Sequence, residues 1–445
     1  MITEFFVLGL YEERNVRITF EDNCKVIVAE NGYGKTTILN MLYSLLSGDT
    51  SKLRKVVFDS VGVTFRDGET ISISKDELAI DHSGILNDTE YGFIELIGDD
   101  VLDALIEEER LSTLYNGYSN YSSGHRSSLF RSVVHKYDVS PARLRRYLRS
   151  FMAARKEEEL KSPVQVKLAR VKEKFGYESL HLPTYRRVEE KAGYLPGLMS
   201  EELLDQSSIN FGMSDVKKNI HDITSEIKNS SVEWFSKING QMLSQLVDGF
   251  SVTDEMKDQV VSADEVSIVL ERIGDNISEA HKVNILELVG SGEIRSGHDP
   301  LVYFLCNLLT VYKQQQDNDV ALQMFAKISN KYLVDKEIVY DESKVTVDVV
   351  RKKSRKLVDI ESLSSGEKQI LSLFAILYLR KNTDIAIFFD EPELSLSIEW
   401  QRLLLPDIID SGTCAFLFAT THSPFIFDNS LESCTVDLAE YIQEL

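Results

Sequence analysis

The first seventy-five residues place short apolar runs between polar turns. Ile2–Leu10, Val16–Phe20 and Lys25–Ala29 read as strands, and Ile38–Leu46 as an apolar helix stopped by Ser47-Gly48-Asp49. Val56–Phe65 and Thr70–Ser74, either side of Arg66-Asp67-Gly68, predict a hairpin, because Asp-Gly favours tight turns between paired strands. From about residue 76 to 335 apolar positions recur mostly at helical spacing. Val216, Ile220, Ile223 and Ile227 follow a 4-3-4 rhythm that Trp234 and Ile238 extend. That heptad-like seam is two to three heptads long and suits a small helical bundle better than a long arm. Val266–Leu288 and Leu301–Tyr312 add helices, and Glu337–Tyr340 with Val345–Val350 predicts a second hairpin. Beyond it, Gln369–Leu379 and Trp400–Ile409 read as helices, Ile385–Phe389 and Ala415–Ala419 as buried strands. The pattern predicts one α/β sheet assembled from both ends of the chain around a mostly helical insert. The expected divisions are 1–75, 76–335 (with 177–190 returning to the first) and 336–445.

Composition narrows the class. The 445 residues are 43% hydrophobic and 27% charged, as in ordinary globular proteins. No apolar run reaches membrane-spanning length, and the acidic start MITEFFVLGLYEE does not read as a secretion signal. Cys24, Cys306, Cys414 and Cys434 form no C-x-x-C pair, which suits thiols in a reducing cytoplasm. A net charge of −22 argues against a general nucleic-acid coat. Charge is uneven, however: His125–Phe175 holds fourteen Lys/Arg against five Asp/Glu, with Arg143, Arg145, Arg146 and Arg149 at helical spacing. This stretch reads either as a solvated helix face or as a docking patch for DNA, RNA or an acidic protein.

Candidate chemistry begins at Val26–Leu42, VIVAENGYGKTTILNML, a strand, a Gly-rich turn and a helix start. Such a loop aims backbone N–H groups at a polyphosphate, with Asn31, Gly32, Gly34, Lys35, Thr36 and Thr37 as the cradle. Lys35 would reach the β- and γ-phosphates and Thr36 would ligate Mg²⁺. Ala29 stands where G-x-x-x-x-G-K-[ST] has its first glycine. Three more motifs follow. LSSGEKQ (Leu363–Gln369) opens a helix with Ser365 and Gly366, a candidate anion site that also reads as a capping box. IAIFFDEPE (Ile385–Glu393) delivers Asp390 for Mg²⁺ and Glu391 to polarise an attacking water. FLFATTHSP (Phe416–Pro424) ends a strand at His422, placed to contact a γ-phosphate or position the lytic water. Each alone has an ordinary explanation. Four in this order, two on helix starts and two on buried strands, point to nucleotide hydrolysis.

Together these motifs resemble the ABC-type ATPase head of the SMC/Rad50/RecF group, and within it the AAA_15/AAA_21 ATPases of bacterial defence loci, including OLD-family proteins. The resemblance covers roughly residues 1–75, 177–190 and 335–430. It implies an ABC-type head, ATP and Mg²⁺ as cofactors, Ala29–Thr36 as Walker A, LSSGEKQ as the signature, and IFFDEPE as Walker B with Glu391 catalytic. It further implies Glu393–Ser397 as the D-loop region and His422 as the switch histidine. HLPTYRRVE (His181–Glu189) resembles another motif of these ATPases, with Arg186 or Arg187 facing phosphate, and Gln165 is a candidate Q-loop glutamine. In such heads the signature serine completes the site of a second head. That implies a homodimer or larger assembly with ATP sandwiched between subunits. A Toprim nuclease and long arms are expected to be lacking here, so the resemblance extends to the ATPase subunit of two-gene anti-phage systems such as PARIS or Septu/retron-associated pairs. It implies a separate toxin nuclease in trans, with the 125–175 stretch as a trigger- or partner-binding surface. The alternative is a RecF/Rad50-like DNA-repair ATPase stimulated by DNA. An ABC transporter ATPase fits the large insert poorly.

Overall fold

All six residues of Ile385–Asp390 are buried, a pattern that suits a strand covered on both faces. The computed structural model describes residues 1–30, 32–78, 101–102, 105–106, 128–137, 139–149, 163–183, 213–380 and 384–445. Its contacts divide the chain into two units, Met1–Asn210 with Thr383–Leu445, and Phe211–Asn382.

The first unit holds two five-stranded sheets rather than the single sheet expected. One is antiparallel and built from β1 (Ile2–Leu10), β2 (Arg14–Thr19), β4 (Ser60–Phe65), β5 (Thr70–Ser74) and β12 (Ile442–Glu444), in the order β12-β2-β1-β4-β5. The other is parallel. It comprises β3 (Cys24–Val28), β6 (Glu178–Leu182), β9 (Ile385–Asp390), β10 (Cys414–Thr421) and β11 (Thr435–Asp437), in the order β11-β3-β10-β9-β6. The split arises because β3 leaves the β1–β2 hairpin and pairs in parallel with β10, Val26 opposite Ala419. Within the antiparallel sheet, Gly62 faces Phe6 across the β1–β4 ladder. A Cβ there would stand 2.5 Å from the Phe6 ring, so glycine is what lets the aromatic lie over the strand.

Helix α1 (Lys35–Ser47) carries Ile38, Leu39, Met41, Leu42, Tyr43, Leu45 and Leu46, all buried. A helix apolar on so many sides needs cover all round. It finds that cover in one core shared with Phe5 and Val7 of β1, Val61 and Val63 of β4, and Phe388, Phe416 and Phe418 of the parallel sheet. The same unit contains α2 (Thr50–Arg54), α3 (Ser128–Lys136), α4 (Pro163–Phe175) and, near its C-terminal end, a helix at 398–409. Leu144 and Leu148 of a helical segment at 141–149 pack with Phe130 and Val133 of α3 in a small separate cluster. Arg143, Arg146 and Arg149 are exposed on that segment. The α4 part of the basic stretch is otherwise engaged: Lys167 bonds Glu77 at 2.6 Å, Arg170 pairs Glu69 at 3.4 Å, and Lys174 pairs Asp67 and Glu69. Those cations are paired with acids of their own unit while Arg170 stays exposed.

The second unit is led by the 36-residue α5 (Met213–Asp248), longer than the seam alone suggested. Val216, Ile223, Ile227 and Ile238 are buried along it, while Ile220 and Trp234 are half-buried. Then follow α6 (Asp254–Gln259), α7 (Ala263–Ile273), α8 (Glu279–Ser291) and the 31-residue α9 (Asp299–Ser329). Next come the hairpin β7 (Lys336–Asp341) and β8 (Thr346–Arg351), then α10 (Ser365–Leu379); the helix at 398–409 in the first unit is α11. Inside this unit Arg272 of α7 lies between helices and hairpin. Its guanidinium donates to Asp319 Oδ1 at 2.7 Å, Gln315 Oε1 at 3.0 Å and the Glu342 carbonyl at 3.1 Å. Tyr340 of β7 also donates to Asp319, so one buried carboxylate joins α7, α9 and the hairpin.

Candidate functional site

The phosphate-loop candidates sit where β3 ends and α1 begins. Gly34 is the N-cap of α1, with φ 84° and no side-chain cap, and Gly32 has φ 91°. Left-handed backbone of this kind favours glycine. With no side chain bonded at the cap, the first N–H groups of the helix are open to an anion. Ala29 has a negative φ, so the glycine missing from that position is not required by the backbone. Asn31 lies outside the described residues.

Lys35 is buried, and all three of its N–H donors have partners: Ala29 O at 2.8 Å, Glu30 O at 3.0 Å and His422 Nδ1 at 3.3 Å. Burial lowers its pKa from the ordinary lysine value, opposed by the negative charges of Glu391, Asp390 and Glu393. Thr36 Oγ1 donates to Asp390 Oδ2 at 2.9 Å, and Thr420 Oγ1 donates to Asp390 Oδ1 at 2.6 Å. The second bond follows from register, since Thr420 and Asp390 are partners on β10 and β9.

At the next position the backbone turns sharply. Glu391 has φ 47°, while its N–H donates to the Thr420 carbonyl at 2.8 Å. A non-glycine residue held left-handed stores about 1–3 kcal/mol, tolerated where the surroundings fix it. Its Oε1 stands 3.6 Å from His422 Nε2. In the tautomer in which Nδ1 accepts from Lys35, the imidazole N–H is Nε2–H, on the side of that carboxylate.

Glu393, Gln401 and Ser423, not singled out individually in the sequence, complete the frame. Glu393 Oε1 accepts the backbone N–H groups of His422 at 2.8 Å and Ser423 at 3.2 Å. Gln401 of α11 donates to Leu396 O at 3.0 Å and accepts from Ser423 Oγ at 2.6 Å. A fourth, Arg14, brings Nη2 to 3.8 Å from where a Gly34 Cβ would be. The second acid of DEPE was the available signal for Glu393; Arg14 and Gln401 carry no local pattern.

The structure thus brings Lys35, Thr36, Asp390, Glu391 and His422 together, with Thr37 one residue further along α1. Ser365 and Gly366 belong to the second unit, as the first two residues of α10. Ser364 caps that helix in a reciprocal box with Glu367, and Ser365 is exposed. Gln165 is half-buried on α4, and no hydrogen bond among the described residues joins it to Lys35 or Asp390. Arg186 and Arg187 lie outside the described residues.

The donor set fits nucleotide and metal. A hydroxyl and a carboxylate 2.9 Å apart offer hard oxygen ligands for Mg²⁺, beside an uncapped helix start and a buried lysine. A glycine loop of this kind, with acids at the tip of a neighbouring buried strand, defines an α/β ATPase that hydrolyses nucleotide. A family model described as "AAA domain" matches residues 6–231, half of the chain, and the chain belongs to that family. A second model, "AAA domain, putative AbiEii toxin, Type IV TA system", matches residues 251–428. No match is found among curated proteins. Solved structures align at low similarity. The Smc head domain with an extended coiled coil bound to the C-terminal domain of ScpA, from Pyrococcus furiosus, is 11% identical over 98% of this chain and 92% of that chain, TM-score 0.35. The Smc head domain with a coiled coil and joint from Pyrococcus yayanosii is 13% identical over 98% and 94%, TM-score 0.30. No residue assignment rests on scores of this size. Among the described residues, no helix is long and apolar enough to cross a membrane.

Proposed function

We propose that the chain hydrolyses ATP, with Mg²⁺, at the Lys35–Asp390–Glu391 cluster, and that a second copy completes each site. The observation carrying this reading is the convergence of Lys35, Thr36, Asp390, Glu391 and His422 at the ends of three adjacent parallel strands. Lys35 exchanges its loop carbonyls for β- and γ-phosphate oxygens. Thr36 and Asp390 would hold Mg²⁺, which would supply charge neutralisation for the transferred phosphoryl group. Glu391 takes the proton of the attacking water, and His422, protonated on Nε2, orients that water or the γ-phosphate. Ser365 and Gly366 offer an exposed hydroxyl and helix-start N–H groups to the nucleotide of the other copy, so ATP joins two chains and its hydrolysis releases them.

The switch serves to hold and release a separate toxin nuclease in anti-phage defence. Bearing on this is the description of the model matched by residues 251–428, an AAA domain of a putative toxin in a Type IV toxin–antitoxin system, which supplies the toxin–antitoxin setting; the nuclease in trans is our extension of it. The second reading, a DNA-stimulated repair ATPase, draws on the exposed Arg143, Arg146 and Arg149. It requires tight duplex binding that weakens steeply with salt. A steady-state assay tests the site. Glu391→Gln is expected to lower kcat at least 100-fold while ATP still binds, and Lys35→Ala to abolish ATP binding. Parental turnover in Glu391→Gln would overturn the assignment.

A further inference from the structure

The start of α10 is tethered by a lysine from a different element. Glu367 Oε2 accepts from Ser364 N–H and Ser364 Oγ, both at 2.8 Å, and the Glu367 N–H reaches Ser364 Oγ at 3.4 Å. Such a box needs no lysine. Yet Lys336 Nζ, from the first residue of β7, lies 3.0 Å from Glu367 Oε1 and 3.3 Å from Oε2. Both side chains are largely shielded, 14% and 8% exposed. Burial works against the Glu367 charge, but the Ser364 bonds and Lys336 outweigh it and hold the carboxyl below the ordinary glutamate range.

The hairpin carrying Lys336 is itself fixed. Asn330 exchanges hydrogen bonds with Ile338 at 2.7 and 2.8 Å, and Tyr340 donates to the Asp319 that binds Arg272. A continuous run of polar contacts therefore leads from α7 and α9, through β7, to the cap of the helix that begins with Ser365.

We propose that Lys336 is a positioning residue for the composite ATP site: by holding Glu367 it sets the Ser364 cap, and so the aim of Ser365 and Gly366 toward the nucleotide of a second copy. This rests on the ATP-sandwich reading above. Lys336 touches no nucleotide, and its removal acts on association of copies rather than on capture of ATP by a single copy.

The test uses full-length chain with Glu391→Gln, which traps ATP. Sedimentation measures dimerisation with and without ATP, and a fluorescent ATP analogue measures binding at concentrations where the chain is monomeric. Lys336→Met is expected to weaken ATP-driven dimerisation at least tenfold, with analogue affinity within twofold of the parent. Lys336→Arg is expected to restore most of it. In a chain with intact Glu391, Lys336→Met lowers kcat with little change in monomer affinity. Glu367→Gln provides an independent arm should Lys336→Met melt early: it removes the charge that Lys336 holds and is expected to weaken ATP-driven dimerisation to a similar degree. Unchanged dimerisation in both single variants, while Ser365→Arg abolishes it, overturns the proposal alone. If Glu391→Gln does not dimerise with ATP, or Ser365→Arg leaves dimerisation intact, the composite site falls and the proposal with it.

Discussion

Lys35 Nζ has three protein partners, so a phosphate bound as proposed would compete with two carbonyls and an imidazole for the same ammonium. Loop and ligand thereby exchange bonds rather than add them. A second imidazole, this one buried, has the opposite task. His181 on β6 stacks on Tyr43 at 4.8 Å, its Nδ1 is 3.4 Å from Lys52 Nζ, and burial followed by the lysine charge lowers its pKa from 6.5 to about 3. The folded chain holds this imidazole neutral while the unfolded chain protonates it near pH 6.5. Stability from this group is present above pH 6.5 and is lost as pH falls toward about 3. Between pH 7 and 5 it falls by about 2 kcal/mol. His181→Phe, which keeps a ring on Tyr43, is expected to flatten that slope in urea titrations at the two pH values. Parallel losses in parent and variant would show that His181 is not the titrating group.

Local elements were readable in proportion to how local their causes are. The turn before α1, the β4–β5 and β7–β8 hairpins and the strands at Ile385 and Ala415 follow from runs of neighbouring residues, and their placement needed no partner. Two sheets in place of one could not be read that way. That division depends on β3 leaving the β1–β2 hairpin to pair with β10, a choice made by residues hundreds of positions apart. The candidate site divides similarly: Lys35, Thr36, Asp390 and His422 are marked by motifs, but Thr420 and Gln401 act only through register and a turn. The β1–β4 ladder supplies a test at this scale. Gly62→Ala must push Phe6 aside or shift β4, at a cost of about 1–3 kcal/mol. Equilibrium unfolding in urea reads it directly, and a loss below about 0.5 kcal/mol would mean that Phe6 and the Ile71 carbonyl, 2.8 Å from the added Cβ, both yield without strain.

Across the whole molecule, each unit has its own core and one of the two tryptophans: Trp400 in the first, Trp234 against the core of the second. Trp234→Phe and Trp400→Phe therefore make each unit report alone. Because the proposed phosphate contacts lie in the first unit, saturating ATP at about 100 times its Kd should raise the stability seen by Trp400 by roughly 2.7 kcal/mol. The Trp234 signal should stay put under conditions where the chain is monomeric. Equal shifts in both would mean either that the two units unfold together or that ATP binding draws on the second unit. The interleaved sheet also orders events in time. The strand carrying the phosphate loop is made early, but its neighbours β10 and β11 come from residues 414–437. At 5–20 residues per second a nascent chain waits on the order of half a minute before that loop has a sheet to stand on. During synthesis the proposed nucleotide site therefore stays incomplete until β9 and β10, Ile385–Asp390 and Cys414–Thr421, have been made, an order of assembly set by strand order.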